Sequence, residues 1–234
     1  MKAYFKYTKR ATCCFLSALL FMLVACKKDS YYADGGLSDP NFKGNMLQYL
    51  QSKPFYFDTV AAVIKIAGLE QTFQQDDMTF FAPTDHAIGR IIFYTNQNLY
   101  QSGKDTIKTL SEVSPAIWRK YLMRYMFHGA NKLNDYPQLD LNIKALYPGQ
   151  NYYSYGNDIL NIGVVYNDVN NVKYAGYRHL VISYIPDLNK PLNWISNDIS
   201  SSDIKPTNGV VHTLTDYTTF GFNSDFINDV YATR

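Results

Sequence analysis

Few side chains in this sequence have the type and spacing that catalysis or metal binding requires. The histidines, which often act as general bases or zinc ligands, number four and stand far apart in the chain: His86, His128, His179 and His212. There is no Gly-x-Ser-x-Gly nucleophile turn, no His-Glu-x-x-His zinc helix and no glycine-rich loop ending in Lys-Ser or Lys-Thr. The sequence therefore predicts no catalytic residue, no metal site, no cofactor and no enzymatic activity.

Two acidic segments come closest to a reactive site. Asp76 and Asp77 could form one side of an acid pair, but adjacent acids ahead of a strand belong more often to a solvated loop. Asp168 and Asn170 have the spacing of the first ligands in a calcium loop, whose other acidic ligands and glycine are missing. A secreted hydrolase is therefore the less favoured alternative.

The thiol of Cys26 is the most informative reactive group. It follows Leu23-Val24-Ala25, at the end of an uncharged run of 13 residues that begins at Cys13. The residues ahead of this run include Lys2, Lys6, Lys9 and Arg10. Because a membrane span needs roughly 20 apolar residues, the run favours a cleaved export signal. Its end resembles the bacterial lipobox, in which the cysteine receives a diacylglyceryl group, and an ordinary signal peptide with an incidental cysteine is the alternative.

Removal of residues 1–25 as a lipoprotein signal peptide would leave a chain fastened to a membrane through Cys26. We expect residues 26–41 to be the lipidated N-terminus and a flexible tether, since they are polar and include two glycines and a proline. Lys27-Lys28-Asp29 resembles a loose version of the surface-export signal of Bacteroidota lipoproteins. The expected location is the cell envelope, lipid-anchored in the outer membrane, with surface exposure left open.

Charge and cysteine content argue against a nucleic-acid-binding protein and against a fold that is stabilised by disulfides. The full chain has 22 basic and 20 acidic side chains, and loss of the four basic residues of the signal leaves a formal net charge of −2. Such a chain lacks the clustered basic surface that nucleic acids need. Cys13 and Cys14 leave with the signal, so the mature chain has no pair of thiols for a disulfide and must be stabilised by an ordinary core.

From Phe42 onward the sequence pattern changes from helical to strand-like. We predict a short helix that includes Met46 and Leu50, a helix from Asp58 or Thr59 to Gly68, and a third helix from Ser114-Pro115 to about His128. Strands are predicted over 78–82, 152–155, 159–165, 179–185 and 210–215. Helices followed by strands are typical of an α+β fold.

Two segments resemble the signatures of fasciclin-like domains. The first is Thr79-Phe80-Phe81-Ala82-Pro83-Thr84-Asp85-His86-Ala87-Ile88, and the second is Asn208-Gly209-Val210-Val211-His212-Thr213-Leu214-Thr215-Asp216. The resemblance implies an α+β, fasciclin-like domain in which helices pack against a wedge of two small β-sheets. It divides the chain into a domain over 42–222, with insertions near 95–113 and 134–149, and a C-terminal tail over 223–234.

The motif residues of this resemblance are expected to be mainly structural: Thr79, Phe80, Ala82, Pro83, Thr84, Asp85, Tyr125, Asn208, Gly209 and His212. Pro83-Thr84-Asp85 should supply a turn and a helix cap, and Asn208-Gly209 should allow positive φ angles before a strand. We interpret His212 as a hydrogen-bonded structural histidine rather than a ligand. The family usually has a Tyr-His pair where this chain has Tyr125-Met126, so an adhesive role for that pair is open here.

Tyrosine is abundant, with 21 residues, and several lie between positions 147 and 177. A tyrosine ring combines an apolar face with a polar tip, which suits protein interfaces and stacking on sugar rings. Tyr147, Tyr152, Tyr153 and Tyr155 therefore form a candidate binding surface, although strands also use tyrosine simply as a strand former. The insertions near 95–113 and 134–149 are a second candidate surface, because loops often carry binding residues.

The resemblance implies a non-catalytic adhesion or binding module of the cell envelope. Its expected partners are the membrane, through the lipid anchor, and a protein or glycan at the cell surface, with no nucleic acid. A glycan-binding accessory protein of an outer-membrane polysaccharide-uptake system is the alternative function.

Overall fold

A computed structural model describes residues 39–190 and 193–234 of this chain. The predicted signal peptide, the lipidation site Cys26 and nearly all of the predicted tether lie outside the described residues. Residues from Pro40 to Arg234 belong to one compact unit. None of the described helices is long and apolar enough to cross a membrane.

A single sheet of seven strands organises this unit. The strands are β1 (Met78–Ala82), β2 (Met126–His128), β3 (Gln150–Tyr153), β4 (Ile159–Tyr166), β5 (Arg178–Tyr184), β6 (Ile195–Ile204) and β7 (Gly209–Leu214). Their order in space is β2-β1-β7-β6-β5-β4-β3. Neighbouring strands are antiparallel except β1 and β7, which are parallel.

The sheet curls until its two edges nearly meet. Just after β3, the Tyr155 N–H donates to the Met126 carbonyl of β2 at 2.9 Å, and the Tyr155 ring stacks on His128 with 4.1 Å between ring centroids. The predicted wedge of two small sheets is therefore wrong, because the structure has one mixed, barrel-like sheet with six helices.

The long strand β6 is the physical reason for this correction. Its first half, Ile195–Asp198, pairs with β5, and its second half, from Ile199, pairs with β7. One strand thus joins what would otherwise be two sheets. The sequence does not predict β6, because its residues, ISNDISSSDI, are mostly polar and lack the apolar alternation of a half-buried strand.

Within the described residues, six α-helices accompany the sheet. They are α1 (Met46–Gln51), α2 (Pro54–Ile66), α3 (Glu70–Gln75), α4 (Asp85–Gln101), α5 (Pro115–Met123) and α6 (Asp225–Ala232). Two short 3-10 helices cover Leu110–Glu112 and Leu133–Asp135. Gly68, with φ +65°, follows the end of α2, as the sequence predicted.

Three helix boundaries differ from their predictions. Helix α2 begins earlier, at Pro54, but Phe57 has non-helical backbone angles (φ −137°, ψ 15°), so the regular helix after this kink starts at Asp58, as predicted. The third predicted helix, α5, ends at Met123 because the following segment pairs with β1 as strand β2. Helix α4 extends to Gln101, so the first part of the predicted 95–113 insertion is helical rather than a loop.

The predicted tail over 223–234 is also corrected. It contains α6, whose Phe226 and Val230 are buried. The Phe226 ring lies 5.1 Å from Trp118 and 5.8 Å from Phe220, measured between centroids. These aromatic contacts make α6 a part of the core, since each large ring removes substantial apolar surface from water.

Candidate functional site

The two signature segments meet as the parallel strands β1 and β7. Thr79 lies opposite Val210, and Phe81 lies opposite His212. Gly209 at the start of β7 has φ +141°, and a Cβ atom there would lie 1.9 Å from the Met78 carbonyl oxygen. Only glycine permits so close a pairing of these two strands.

The polar side chains of Asn208 and Asp85 in the two signature segments form hydrogen bonds to the backbone of neighbouring helices. The Asn208 side chain accepts from the Met46 N–H at 2.7 Å and donates to the Phe73 and Asp76 carbonyls at 3.2 and 3.0 Å. It thereby joins the start of α1 to the end of α3. Thr84 is the N-cap residue of α4 but makes no side-chain capping bond. The Asp85 carboxylate instead accepts from the Val60 N–H of α2 at 3.0 Å, just past the kink.

His212 is buried and both of its ring nitrogens have partners. Its Nδ1 accepts from the Asp203 N–H at 3.3 Å, and its Nε2 lies 3.0 Å from the Asn131 carbonyl oxygen. Because a backbone N–H can only donate and a carbonyl can only accept, the neutral ring carries its hydrogen on Nε2. Burial lowers the pKa of His212 to about 4, against the opposing effects of Asn131 and Asp203. No ring nitrogen is left for a metal or substrate.

This buried histidine should make the protein sensitive to acid. In the unfolded chain His212 takes up a proton below its ordinary pKa of about 6.5, whereas in the folded chain it does so only near pH 4. The folded state therefore loses stability as the pH is lowered from about 6.5 to 4. We expect a loss of about 2–3 kcal/mol in the free energy of unfolding between pH 7.5 and 4.5. Urea denaturation at both pH values, in the wild type and His212→Gln, measures it. An equal pH dependence in the variant would contradict this assignment.

Tyr125 and Met126, which stand in place of the usual Tyr-His pair, are both buried. The Tyr125 hydroxyl accepts from the Gly221 N–H at 2.7 Å, and its ring stacks on Phe222 with 4.9 Å between centroids. Burial raises the pKa of Tyr125. Neither side chain is exposed to a partner in this fold.

The neighbouring Arg124 is a buried residue that sequence reasoning missed. Its Nη1 donates to the Gly221 carbonyl at 2.8 Å, and its Nε lies 3.1 Å from Oδ2 of Asp158. Its guanidinium also lies 4.2 Å from the centroid of the Tyr184 ring. Only its position beside the motif tyrosine could have drawn attention to it.

The four candidate tyrosines do not share one surface. Tyr152 packs inward against Tyr136, whereas its neighbour Tyr153 in β3 is 69% exposed. Tyr155 stacks on His128 where the sheet edges meet, and Tyr147 packs edge-on against Tyr174, with 5.4 Å between centroids.

The other three histidines and Asp168, which the sequence offered as possible ligands, do not come together in one site. His86 is on α4, His128 on β2 and His179 on β5, where its Nε2 lies 3.3 Å from the Asp198 carboxylate. Asp168 accepts from the Tyr174 N–H at 2.9 Å. Over residues 39–190 and 193–234, no three His, Cys, Asp or Glu side chains are grouped in a way that could hold a metal ion.

Exposed aromatic side chains line a groove between α2 and α4, which we call the aromatic groove. It has a volume of about 560 Å³ and is lined by Phe55, Asp85, His86, Gly89, Arg90, Phe93 and Tyr94. Phe55 is 80% exposed and Phe93 is 62% exposed. The sequence contained a signal for it, because Phe93 falls outside the helical series of the buried Ala87, Ile88 and Ile91.

Gly89 forms part of this groove in the interior of α4. A Cβ atom at this position would meet no heavy atom within 4 Å. The adjacent Arg90 is held in place, since its Nη1 donates to the Asp216 carbonyl at 2.8 Å and also to the Thr218 carbonyl. The groove therefore has an empty floor at Gly89 and rigid surroundings.

Gly89→Ala should stabilise the protein, because glycine is a poor residue for a helix interior and the added methyl group would clash with nothing. We expect a gain of about 0.5–1 kcal/mol in the free energy of unfolding. Urea denaturation of the two proteins provides the measurement. A loss of stability would show that Gly89 serves packing within the domain and that the groove floor is not empty.

Comparisons with known proteins identify one family, whose match spans both signature segments. The family described as "Fasciclin domain" matches residues 55–217. A solved FAS1 domain pair from the insect cell adhesion molecule fasciclin I is similar at 15% identity and a TM-score of 0.49, over 79% of this chain and 52% of that chain. This chain thus spans about half the length of that structure. No curated protein matches significantly in sequence. By the match over residues 55–217, the chain belongs to the fasciclin domain family.

Proposed function

We propose that this protein is a non-catalytic adhesion module, held at the cell envelope by lipid on Cys26, that contacts a protein partner through the aromatic groove. Membership of the fasciclin family supports an adhesion-type role. The observation that carries the proposal is the exposure of Phe55 and Phe93, which are 80% and 62% accessible to solvent.

Exposed phenylalanines are unfavourable unless something covers them. A phenylalanine ring has no polar atom that could bond to water, and burial of one such side chain stabilises by roughly 1.5–3 kcal/mol. Together with Tyr56 and Tyr94, the two phenylalanines leave roughly 500 Å² of aromatic side chain in water, taking about 200 Å² for a full ring. The largest apolar patch of a typical monomeric domain covers about 300–600 Å² and is often functional, which makes this patch the candidate contact surface.

The shape of the groove favours a second copy of the same domain as the partner. Gly89 and Phe93 are four residues apart, so they lie on one face of α4, separated by one turn. If two α4 helices pack antiparallel through this exposed face, with the two-fold axis midway between Gly89 and Phe93, Phe93 of each copy lies over the empty Gly89 floor of the other. This contact is self-complementary, as a two-fold interface requires. It would bury roughly 1,000 Å² of aromatic surface, near the lower limit of stable interfaces.

Sedimentation analysis of the protein carrying Cys26→Ser tests this contact without lipid-driven association. We expect a monomer–dimer equilibrium that Gly89→Arg abolishes, because a long charged side chain would occupy the groove. Asn98→Arg is the matched control, since Asn98 is exposed on the same helix about 180° around from Gly89. A wild-type protein that is monomeric at every concentration, or equal effects of both substitutions, would contradict the proposal.

The lipid anchor is proposed from the sequence before Cys26 and needs its own test. Cells grown with a labelled fatty acid should incorporate the label into the wild-type protein and not into Cys26→Ala, which should be released from the membrane fraction. An unlabelled wild-type protein would reject the anchor. Placement in the outer membrane of a Bacteroidota-type envelope, with the domain facing outward, predicts cleavage by protease added to intact cells.

A further inference from the structure

A second cavity lies away from the aromatic groove and shares no residue with it. This side pocket has a volume of about 420 Å³ and lies between the segment 139–143, the end of β4 and the loop 167–174. The segment 139–143 belongs to the predicted insertion near 134–149, and the loop 167–174 belongs to the tyrosine-rich part of the chain. The predicted insertion thus lines the pocket, whereas none of the four candidate tyrosines does, and only Tyr147 lies beside it, in ring contact with Tyr174.

The pocket is a built feature of the fold. The Leu139 N–H donates to the Val164 carbonyl, and the Val164 N–H donates to the Pro137 carbonyl, both at 2.9 Å. These bonds fasten the segment across β4. Gly163 permits the crossing, since a Cβ atom there would lie only 2.4 Å from the Cβ of Leu139. One wall of the pocket is therefore fixed on the sheet.

Tyr174 connects the two opposite sides of the pocket. Its hydroxyl donates to Oδ2 of Asp140 at 3.0 Å, and its N–H donates to Oδ1 of Asp168 at 2.9 Å. It has φ +61°, a left-handed conformation that is unusual for a bulky residue. Two contacts hold Tyr174 in this conformation: its ring packs edge-on against Tyr147, and its hydroxyl bonds to the Asp140 carboxylate. The Asp140 carboxylate is itself fixed, because it also accepts from the Asn142 N–H at 2.9 Å. The polar groups are thus ordered in advance of any ligand.

The chemistry of the lining matches one class of ligand. The rings of Tyr166 and Tyr174 lie beside amide and carboxylate groups, with Asn142, Asp140 and Asp168 among them. A saccharide presents the same combination, because its ring has apolar C–H faces and a rim of hydroxyl groups that both donate and accept. Among the lining residues, the carboxylates of Asp140 and Asp168 outnumber the cation of Lys173, which disfavours anionic ligands. The guanidinium of Arg178 covers one face of the Tyr166 ring, 4.3 Å from its centroid, and leaves the other face for a ligand.

We propose that the side pocket binds a neutral saccharide, with the tyrosine rings stacking on its C–H faces and the carboxylates and amide accepting and donating hydrogen bonds at its hydroxyl groups. This site is independent of the aromatic groove and of its protein partner.

Titration of the protein with neutral hexose oligosaccharides and with uronic acid oligosaccharides, followed by calorimetry, tests the proposal. We expect saturable binding of a neutral oligosaccharide and none of its uronate counterparts. Tyr174→Ala should weaken binding at least tenfold, through loss of a stacking ring and of the order around Asp140 and Asp168. Tyr153→Ala is the matched control, since Tyr153 is 69% exposed and lies outside the pocket.

Asp140→Asn serves as a second variant in case Tyr174→Ala disturbs the loop. This substitution preserves the size of the side chain and removes one negative charge. It should therefore weaken the binding of the neutral oligosaccharide and reduce the discrimination against uronates. Absence of neutral saccharide binding in the folded wild type overturns the proposal. Binding that survives both pocket substitutions but is lost in Tyr153→Ala overturns it as well. Neither result bears on self-association through the groove, which is measured without sugar.

Discussion

Gly209→Ala should cause the largest loss of stability of any single substitution considered for this protein. The added Cβ would lie 1.9 Å from the Met78 carbonyl oxygen, and an alanine would have to adopt φ +141°, which only glycine tolerates. The obstacle is backbone in the parallel β1–β7 pair, which cannot move without breaking the ladder that joins the two signatures. We expect a loss of more than about 4 kcal/mol in the free energy of unfolding, a large part of the roughly 5–15 kcal/mol that stabilises a typical domain.

Gly68→Ala is the control for this prediction. Gly68 also has a positive φ, +65°, but a Cβ there would have open space around it. Its cost should therefore be the conformational term alone, about 1 kcal/mol. Circular dichroism during urea denaturation compares the two variants. If Gly209→Ala loses no more stability than Gly68→Ala, the close approach of β1 and β7 is not as described.

Arg124→Met should have the second largest effect on stability. Methionine replaces the aliphatic part of the side chain but removes the charge that faces Asp158 and the donor to the Gly221 carbonyl. Breaking a buried pair costs roughly 3–5 kcal/mol, and since 19% of the Asp158 side chain is exposed we expect about 3 kcal/mol. The free energy of unfolding in urea at neutral pH measures the loss.

Two further measurements separate the ion pair from a general effect of losing an arginine. Arg119→Met removes an exposed arginine of α5 that donates to the Ala67 and Gly68 carbonyls, and it should cost less than about 1 kcal/mol. Asp158→Asn should cost less in the Arg124→Met background than in the wild type, because the pair is already broken. Additive losses would mean that Arg124 and Asp158 do not stabilise each other.

The sequence predicted those parts of the fold that have strong local patterns. Strands β1, β4, β5 and β7 are short apolar runs bounded by turn residues, and the structure contains them within a few residues of the predicted limits. The family resemblance was also confirmed, because its two signatures carry turn and strand residues whose types are specific to their geometry.

Long-range pairing decided the parts that were not predicted. Residues Met126–His128 continue the apolar pattern of α5 but pair with β1, and the polar β6 is a strand because β5 and β7 provide its hydrogen bonds. Likewise, the polar residues of Thr95–Gln101 are helical because Thr95 and Leu99 bury one side of α4. Such tertiary effects override local propensity.

The candidate site was predictable only in part. Tyrosine clustering pointed to residues 147–177, yet Tyr152 and Tyr155 are occupied by ring contacts, and Tyr147 supports Tyr174 at the side pocket. The aromatic groove depends on which helix faces remain uncovered after folding, and that is a property of the tertiary structure rather than of the local pattern of α2 or α4.

Adhesion between coated beads tests the central claim most directly. Beads that carry the protein through its N-terminus should cluster with one another, and beads that carry Gly89→Arg should stay dispersed even when mixed with wild-type beads. Beads carrying Asn98→Arg should cluster like the wild type. Clustering that is unchanged by Gly89→Arg, or wild-type beads that never cluster, would contradict adhesion through the aromatic groove.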